Sequence, residues 1–397
     1  MALAQDSTPR LSAAARRVGS SAIRDLLAVA ERPDVISLAG GMPAPETFPV
    51  AAVRSATDAI LDRDGAAALQ YSATEGYEPL REWVAAAARP GVPVDRVTIT
   101  AGSQQGLDLV ARVLVDPGDV VVTADPGYVG AIQAFRLAGA RLVGIPSDEH
   151  GLRVDDLASQ LAAGLRPRAA YVVANLSNPT GATLPDERRD RLAELADRYG
   201  FWLVEDDPYG ALRWSGTAPR PLAERSDQVV MLGTVSKVLC PGLRVGHLVA
   251  PASVSRGIVR VKQAADLHTS TLAQRLVHEL VTRPGFLDDR LATLPAFYRE
   301  RAEAMTGALR LHLGTRVDFA DPEGGMFVWA RLTDTGGVAS DTASLLPNAL
   351  AAGVAFVPGN AFAVSHSHPT HLRLSYATPT PTTITEAVHR LAAVVTG

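Results

Sequence analysis

Between about residues 97 and 250, short apolar runs rich in β-branched residues alternate with amphipathic stretches. The runs Val97–Thr100, Asp119–Thr123, Arg141–Ile145, Ala170–Ala174, Phe201–Glu205, Gln228–Leu232 and Gly246–Ala250 are nearly continuous in apolar side chains. Strands covered on both faces have this character. The stretches between them carry helix punctuation. Asp186–Tyr199 starts after Pro185, sets Leu192, Leu195, Ala196 and Tyr199 on one face, and stops at Gly200. Another helix is expected over Gln105–Val115, after a turn at Gly102. Such alternation predicts an α/β fold around a doubly wound, mostly parallel, seven-stranded sheet.

Beyond about residue 285 the texture changes. A long polar helical stretch, Pro295–Leu313, leads to runs at Val317–Phe319, Met326–Arg331, Val354–Val357 and His371–Tyr376 separated by Gly-rich turns. These predict a smaller α+β domain. Ahead of the large unit, a helix is expected over Ser21–Ala30, followed by a tight turn at Gly40 and Gly41. The expected division is an N-terminal arm over 1–45, packing on the small domain and the active site, a large domain over 46–284, and a small domain over 285–397.

Composition narrows the function. With 397 residues, 47% hydrophobic and 20% charged, the chain buries a large core, which excludes wholesale disorder. The net charge of −4 argues against a nucleic-acid backbone or an anionic membrane as the main partner. Cys240 is the single cysteine, so there is neither an internal disulfide nor a cysteine-based metal site, and no metal is expected. Without an apolar run of roughly 18 residues or an apolar leader, the expected location is cytoplasmic. No glycine-rich dinucleotide fingerprint, P-loop, zinc-protease helix or nucleophile elbow is present. His366 and His368 form the one close histidine pair, expected to be solvated in a polar loop. Only two of the 38 basic residues are lysines, Lys237 and Lys262. A lysine kept in an arginine-rich chain is a candidate for amine chemistry.

Ligands of open α/β sheets bind beyond the carboxyl ends of the strands. There the sequence places Gly102-Ser103-Gln104, an anion-holding helix start; Tyr128, an aromatic plate; and Asn178-Pro179-Thr180-Gly181. It also places Glu205-Asp206-Asp207-Pro208-Tyr209, whose carboxylates need a positive partner if buried, and Thr234-Val235-Ser236-Lys237 followed by Arg244. Together they supply an anion cradle, a stacking ring, a buried carboxylate and an amine, the inventory that pyridoxal phosphate requires. Lys262, in a helical stretch without such company, is expected as a surface charge.

In this order the chain resembles the class I/II aminotransferases of the pyridoxal-phosphate fold type I, over nearly its whole length. The motifs include Leu38-Ala39-Gly40-Gly41-Met42-Pro43, Gln70-Tyr71-Ser72, Asn178-Pro179-Thr180-Gly181, Asp206-Asp207-Pro208-Tyr209, Ser236-Lys237, Gly242-Leu243-Arg244, Gly324-Gly325-Met326-Phe327 and Leu372-Arg373-Leu374. It most resembles the 2-aminoadipate and kynurenine aminotransferase branch. The resemblance implies that Lys237 forms the internal aldimine and shuttles the proton, and that Asp206 keeps the pyridine nitrogen protonated. Asn178 and Tyr209 would bond the ring's phenolic oxygen, and Tyr128 would stack on the ring. Ser103, Gln104, Thr234, Ser236 and Arg244 would hold the phosphate, with Tyr71 reaching in from the second subunit of a homodimer. For the substrate it implies Arg373 on the α-carboxylate, aided by Asn178, with Arg24 on a distal carboxylate and Gly40 and Gly41 leaving room beside it. Gly127, Ala211, Val235 and Val238 depart from the branch pattern without removing a catalytic group.

The expected reaction is ping-pong transfer of an amino group between an L-amino acid, a glutamate-type donor, and a 2-oxo acid. The cofactor motifs equally accommodate a lyase, cyclase or decarboxylase acting on an amino acid. A regulator carrying such a unit behind a winged-helix domain is disfavoured, since only about 45 residues precede the large unit. The amino acceptor is open among aliphatic, aromatic, aminoadipate-like and specialised 2-oxo acids.

Overall fold

The computed structural model describes residues 10–17, 19, 32–89, 91–333 and 341–396. The helix expected over Ser21–Ala30 lies outside them. Eight strands form the main sheet, in the spatial order Val97–Thr100, Gly246–Val249, Val229–Thr234, Trp202–Asp207, Ala169–Val173, Val120–Asp125, Arg141–Asp148, Gly151–Leu152. The five strands from Val229–Thr234 to Arg141–Asp148 run parallel, while Gly246–Val249 runs antiparallel to both its neighbours. Seven of the eight are the expected strands, several shifted by a residue or two. The eighth, Gly151–Leu152, is a two-residue return of the Arg141 strand, too short for a hydrophobic period to reveal.

Helices cover both faces, burying one cluster around Leu107, Val110, Val204 and Val230 and another around Val122, Leu157, Leu192 and Leu203. The Asp186–Tyr199 helix ends as expected, with Gly200 in the left-handed conformation. The helix expected from Gln105 begins at Ser103 and runs to Leu114.

The C-terminal part builds an antiparallel sheet in the order Val317–Phe319, Phe327–Leu332, His371–Ser375, Val357–Pro358. The helix expected to start at Pro295 instead spans Phe286–Leu313, with Pro295 inside it. Proline costs an interior hydrogen bond, but Leu294, Tyr298, Ala302, Met305 and Leu309 bury one continuous stripe, which outweighs that loss. Leu38 and Ala44 join this same core, and Ile36–Ser37 pairs parallel with Val354–Ala355. The N-terminal segment is thereby pinned where it meets the carboxyl edge of the main sheet.

Candidate active site

The parallel strands all point their carboxyl ends at one edge, and the antiparallel strand Gly246–Val249 begins there. Ser103, Tyr128, Asp206, Thr234, Lys237 and Arg244, far apart in sequence, therefore line one cavity of about 160 Å³. Gln104, Asn178, Tyr209 and Ser236 line it too.

One end of the cavity is a cradle for an anion. Gly102 has φ +82°, and a Cβ there would lie 2.5 Å from Nη2 of Arg244. Glycine is thus what allows the guanidinium to rest against the first turn of the Ser103–Leu114 helix. Arg244 Nη2 donates to the Ala101 carbonyl at 3.1 Å. Thr234 Oγ1 donates to Ser236 Oγ at 2.9 Å. Ser103 Oγ is buried and has no hydrogen-bond partner among the described residues. Gln104 turns its amide to the Gly130 carbonyl at 3.0 Å, so only part of it faces the cavity.

Farther in stands Asp206, 2% exposed. Its Oδ2 accepts a hydrogen bond from Tyr171 Oη at 2.8 Å, while Oδ1 is buried without a partner among the described residues. Burial pushes this carboxyl up to about 7, against the pull of the Tyr171 hydroxyl and helped by Asp207. Buried carboxylates at this strand end are expected to need a positive partner. Glu205 meets one in Arg189, at 3.2 Å, but Asp206 has a phenol. Sequence reasoning missed Tyr171; a lone hydroxyl in the apolar run Ala169–Val173 was its signal.

Lys237 Nζ donates to the Gly41 carbonyl at 3.0 Å and sits 5.8 Å from the Tyr209 ring centre. Burial pulls its amine down to about 8, and the cations of Arg373 and Arg244 add to the effect. Burial also raises the phenol of Tyr128 to about 12, and that of Tyr209 well above its ordinary value.

Arg373 comes from the middle strand of the small sheet, 2% exposed. Nη1 donates to Asn178 Oδ1 at 2.9 Å and Nη2 to the Ala39 carbonyl, next to the buried Gly40. Its guanidinium carbon lies 4.4 Å from the Phe327 ring centre and 5.1 Å from that of Phe362. Burial lowers the guanidinium to about 10, which leaves it charged at neutral pH. Phe362 gave no sequence signal because its loop is not periodic.

Arg373, Gly40 and Gly41 do not line this cavity, though Arg373 reaches it through Asn178 and Gly41 through Lys237. Tyr71 is not brought to it and is 77% exposed, edge-on to His268 at 5.6 Å. Arg24 lies outside the described residues. Two further expectations are corrected. His366 and His368 are not simply solvated: His366 Nδ1 and His368 Nε2 each lie 2.9 Å from a carboxylate oxygen of the buried Asp125. That residue also accepts the backbone N–H groups of Val364, Ser365 and His366, an arrangement that only the fold creates. Lys262, expected at the surface, is fully buried among polar partners.

An unpaired buried acceptor, an amine held partly neutral, and a cradle of hydroxyls and a guanidinium make a donor set that fits pyridoxal phosphate. The acceptor suits a protonated ring nitrogen, the amine an aldehyde, and the cradle a phosphate monoester.

Comparison with known proteins gives a consistent picture. The description "Aminotransferase class I and II" matches residues 33–391. The chain is 41% identical to aromatic-amino-acid aminotransferase 1 of Thermococcus litoralis, covering 94% of this chain and 91% of that protein. It is 43% identical to 2-aminoadipate transaminase of Thermus thermophilus, covering 96% of each. Among solved structures, the α-aminoadipate aminotransferase of Thermus thermophilus, complexed with N-(5'-phosphopyridoxyl)-L-leucine, superposes with a TM-score of 0.89 at 42% identity. That likeness covers 98% of this chain and 97% of the other.

Proposed function

The chain belongs to the class I and II aminotransferases and is a pyridoxal-phosphate-dependent transaminase, and from that premise we propose how its own residues divide the work. The single observation that carries the assignment is Asp206 Oδ1, a buried acceptor without a partner among the described residues, in the cavity that also holds the depressed amine of Lys237.

Pyridoxal phosphate, when bound, supplies an aldehyde that takes up an amine and a ring that draws electrons from the bond being broken. Asp206 Oδ1 would accept the ring N–H and keep that proton in place. Tyr128 would stack on the ring, while Asn178 and Tyr209 would hold its phenolic oxygen. Ser103, Gln104, Thr234, Ser236 and Arg244 bind the phosphate; a charge-assisted bond from an arginine contributes about 1.5–3 kcal/mol. Lys237 Nζ would hold the aldehyde end and, once freed from it, would take the proton from the substrate Cα. Arg373 binds the substrate carboxylate through its planar fork.

The reaction is ping-pong exchange between an L-amino acid and a 2-oxo acid. We take the donor to be glutamate or a longer acidic homologue, a reading supported by the 2-aminoadipate relative. Arg24 would grip the distal carboxylate, and Arg24→Ala should raise KM for glutamate about tenfold while leaving an apolar donor nearly unchanged. Equal losses with both donors would remove that role. A lyase, cyclase or decarboxylase reaction is not favoured by relatives named as aminotransferases.

The same reading takes the enzyme as a cytoplasmic homodimer in which Tyr71 serves the neighbouring site. The exposed Leu69, Tyr71 and Leu267 support it. No helix among the described residues is long and apolar enough to cross a membrane. It also keeps the arm, large and small domains at 1–45, 46–284 and 285–397, supported by Leu38 and Ala44 sharing the C-terminal core.

Adding the cofactor to the purified protein should give a visible chromophore, and borohydride should then leave a mass adduct on Lys237. Colour without an adduct at that residue would refute the assignment of the amine.

A further inference from the structure

Burying an ammonium is costly unless its N–H groups are all used. Lys262 is 0% exposed, and Nζ donates at 2.8 Å to both carboxylate oxygens of Asp266, at 3.1 Å to Thr269 Oγ1 and at 3.2 Å to Gln105 Oε1. The same Gln105 oxygen accepts the Ala101 N–H at 2.7 Å, and Gln105 Nε2 donates to Asp266 Oδ2 at 2.6 Å. On the other side of residue 101, the carbonyl accepts Arg244 Nη2 at 3.1 Å. Thr269 Oγ1 in turn donates to the Ile99 carbonyl at 3.2 Å. The ammonium therefore fastens the strand end, the turn at Ala101 and Gly102, and, three hydrogen bonds away, the guanidinium at the end of the cavity.

A surface charge would need none of this. Burial pulls the amine of Lys262 down while Asp266 holds the proton on it. A neutral hydrocarbon at this position would leave Asp266 and Gln105 without their shared donor. The Ala101 N–H would then lose the constraint on its acceptor.

We propose that Lys262 is a positioning residue of the phosphate cradle, acting through Gln105 on the turn against which Arg244 packs. The inference rests on the reading of Arg244 and Ser103 as phosphate ligands. Lys262 touches neither the cavity nor Arg244; its effect is confined to the end of the cavity that reads the phosphate.

Titrating apoenzyme with pyridoxal phosphate and with pyridoxal separates this role from general support of the fold. For Lys262→Met and for Gln105→Met, Kd for the phosphate ester should rise about tenfold or more, while Kd for pyridoxal changes less than about twofold. Unchanged affinity for the ester in either folded variant would overturn the proposal, as would equal losses for both aldehydes. Should Lys262→Met fail to fold, Gln105→Met decides on the same criteria. If the unmodified enzyme binds the two aldehydes equally well, the phosphate reading itself is wrong, an outcome distinct from failure of the Lys262 inference.

Discussion

The cofactor end of the site and its substrate arm differ in how far their polar groups are already engaged within the protein. Along the edge of the main sheet, polar atoms are buried with bonds still to make: Asp206 Oδ1 and Ser103 Oγ have no partner among the described residues. Each such atom costs the free protein stability, about 1–3 kcal/mol, that a matching ligand restores. At the substrate arm, both terminal nitrogens of Arg373 already bond, to Asn178 and to the Ala39 carbonyl, the guanidinium lies against two phenyl rings, and Nε alone is buried without a partner among the described residues. A carboxylate arriving there must compete with internal partners. That contrast fits the proposed roles, in which the first region would hold a resident group and the second one that comes and goes.

The comparison breaks most visibly at Lys237. Lys237→Ala should lower turnover at least about 10⁴-fold, because in the proposed division of roles the same amine would anchor the cofactor and move the proton. Substrate-binding changes at Arg373 should leave the cofactor in place, whereas this variant should yield colourless protein after dialysis. Retained turnover would sink the account of the cofactor end.

Asp206→Asn sharpens the idea that the cofactor end is strained. Turnover should fall about 10²-fold as the ring proton loses its anionic partner. Stability of the apoenzyme should move the other way. A carboxyl with its folded value near 7, raised from 3.8, destabilises the folded state progressively as pH climbs from about 4 to 7 and fully above that. The amide removes that cost, so the variant apoenzyme should be more stable at pH 8 by about 2 kcal/mol or more, and indistinguishable near pH 4. Urea titration at the two pH values checks both halves.

How much of this was readable beforehand follows the same divide. The cofactor end was legible because its residues lie in or within a few residues of strand ends with a strong apolar signal, as Asp206 lies in Trp202–Asp207 and Lys237 stands three residues past Val229–Thr234. What long-range packing decides was not legible. Tyr171 and Phe362 bear on the site only through the fold, Lys262 looks like a surface charge until its polar partners enclose it, and only the fold brings His366 and His368 to the buried Asp125. Pro295 misled for a related reason, since proline at a helix start is the commoner local outcome and only burial of the stripe past it overrides that.

Arg373→Lys tests the substrate arm. A lysine keeps the charge but loses the fork and the stacking on Phe327 and Phe362, so kcat/KM should drop about 10–10²-fold, chiefly through KM. Cofactor affinity should hardly change. A matching loss of cofactor affinity would show that the two regions are not separable at this residue.

The smallest effect addresses how the regions communicate. Arg373 and Arg244 both help pull the Lys237 amine down to about 8. Only the neutral amine attacks an aldehyde, so capture of the cofactor by apoenzyme should speed up about tenfold from pH 7 to a plateau above pH 9. With an ordinary amine near 10.5 the rise would continue through pH 10. A non-reacting dicarboxylate held on Arg373 should screen its charge and move the midpoint upward, because the charged amine then costs less. The same shift would make Lys237 a stronger base once a substrate carboxylate is seated, so the charge on Arg373 would set the proton affinity of the amine. Stopped-flow absorbance with and without the dicarboxylate measures the midpoint; a midpoint indifferent to it would mean that the two ends of the site act independently.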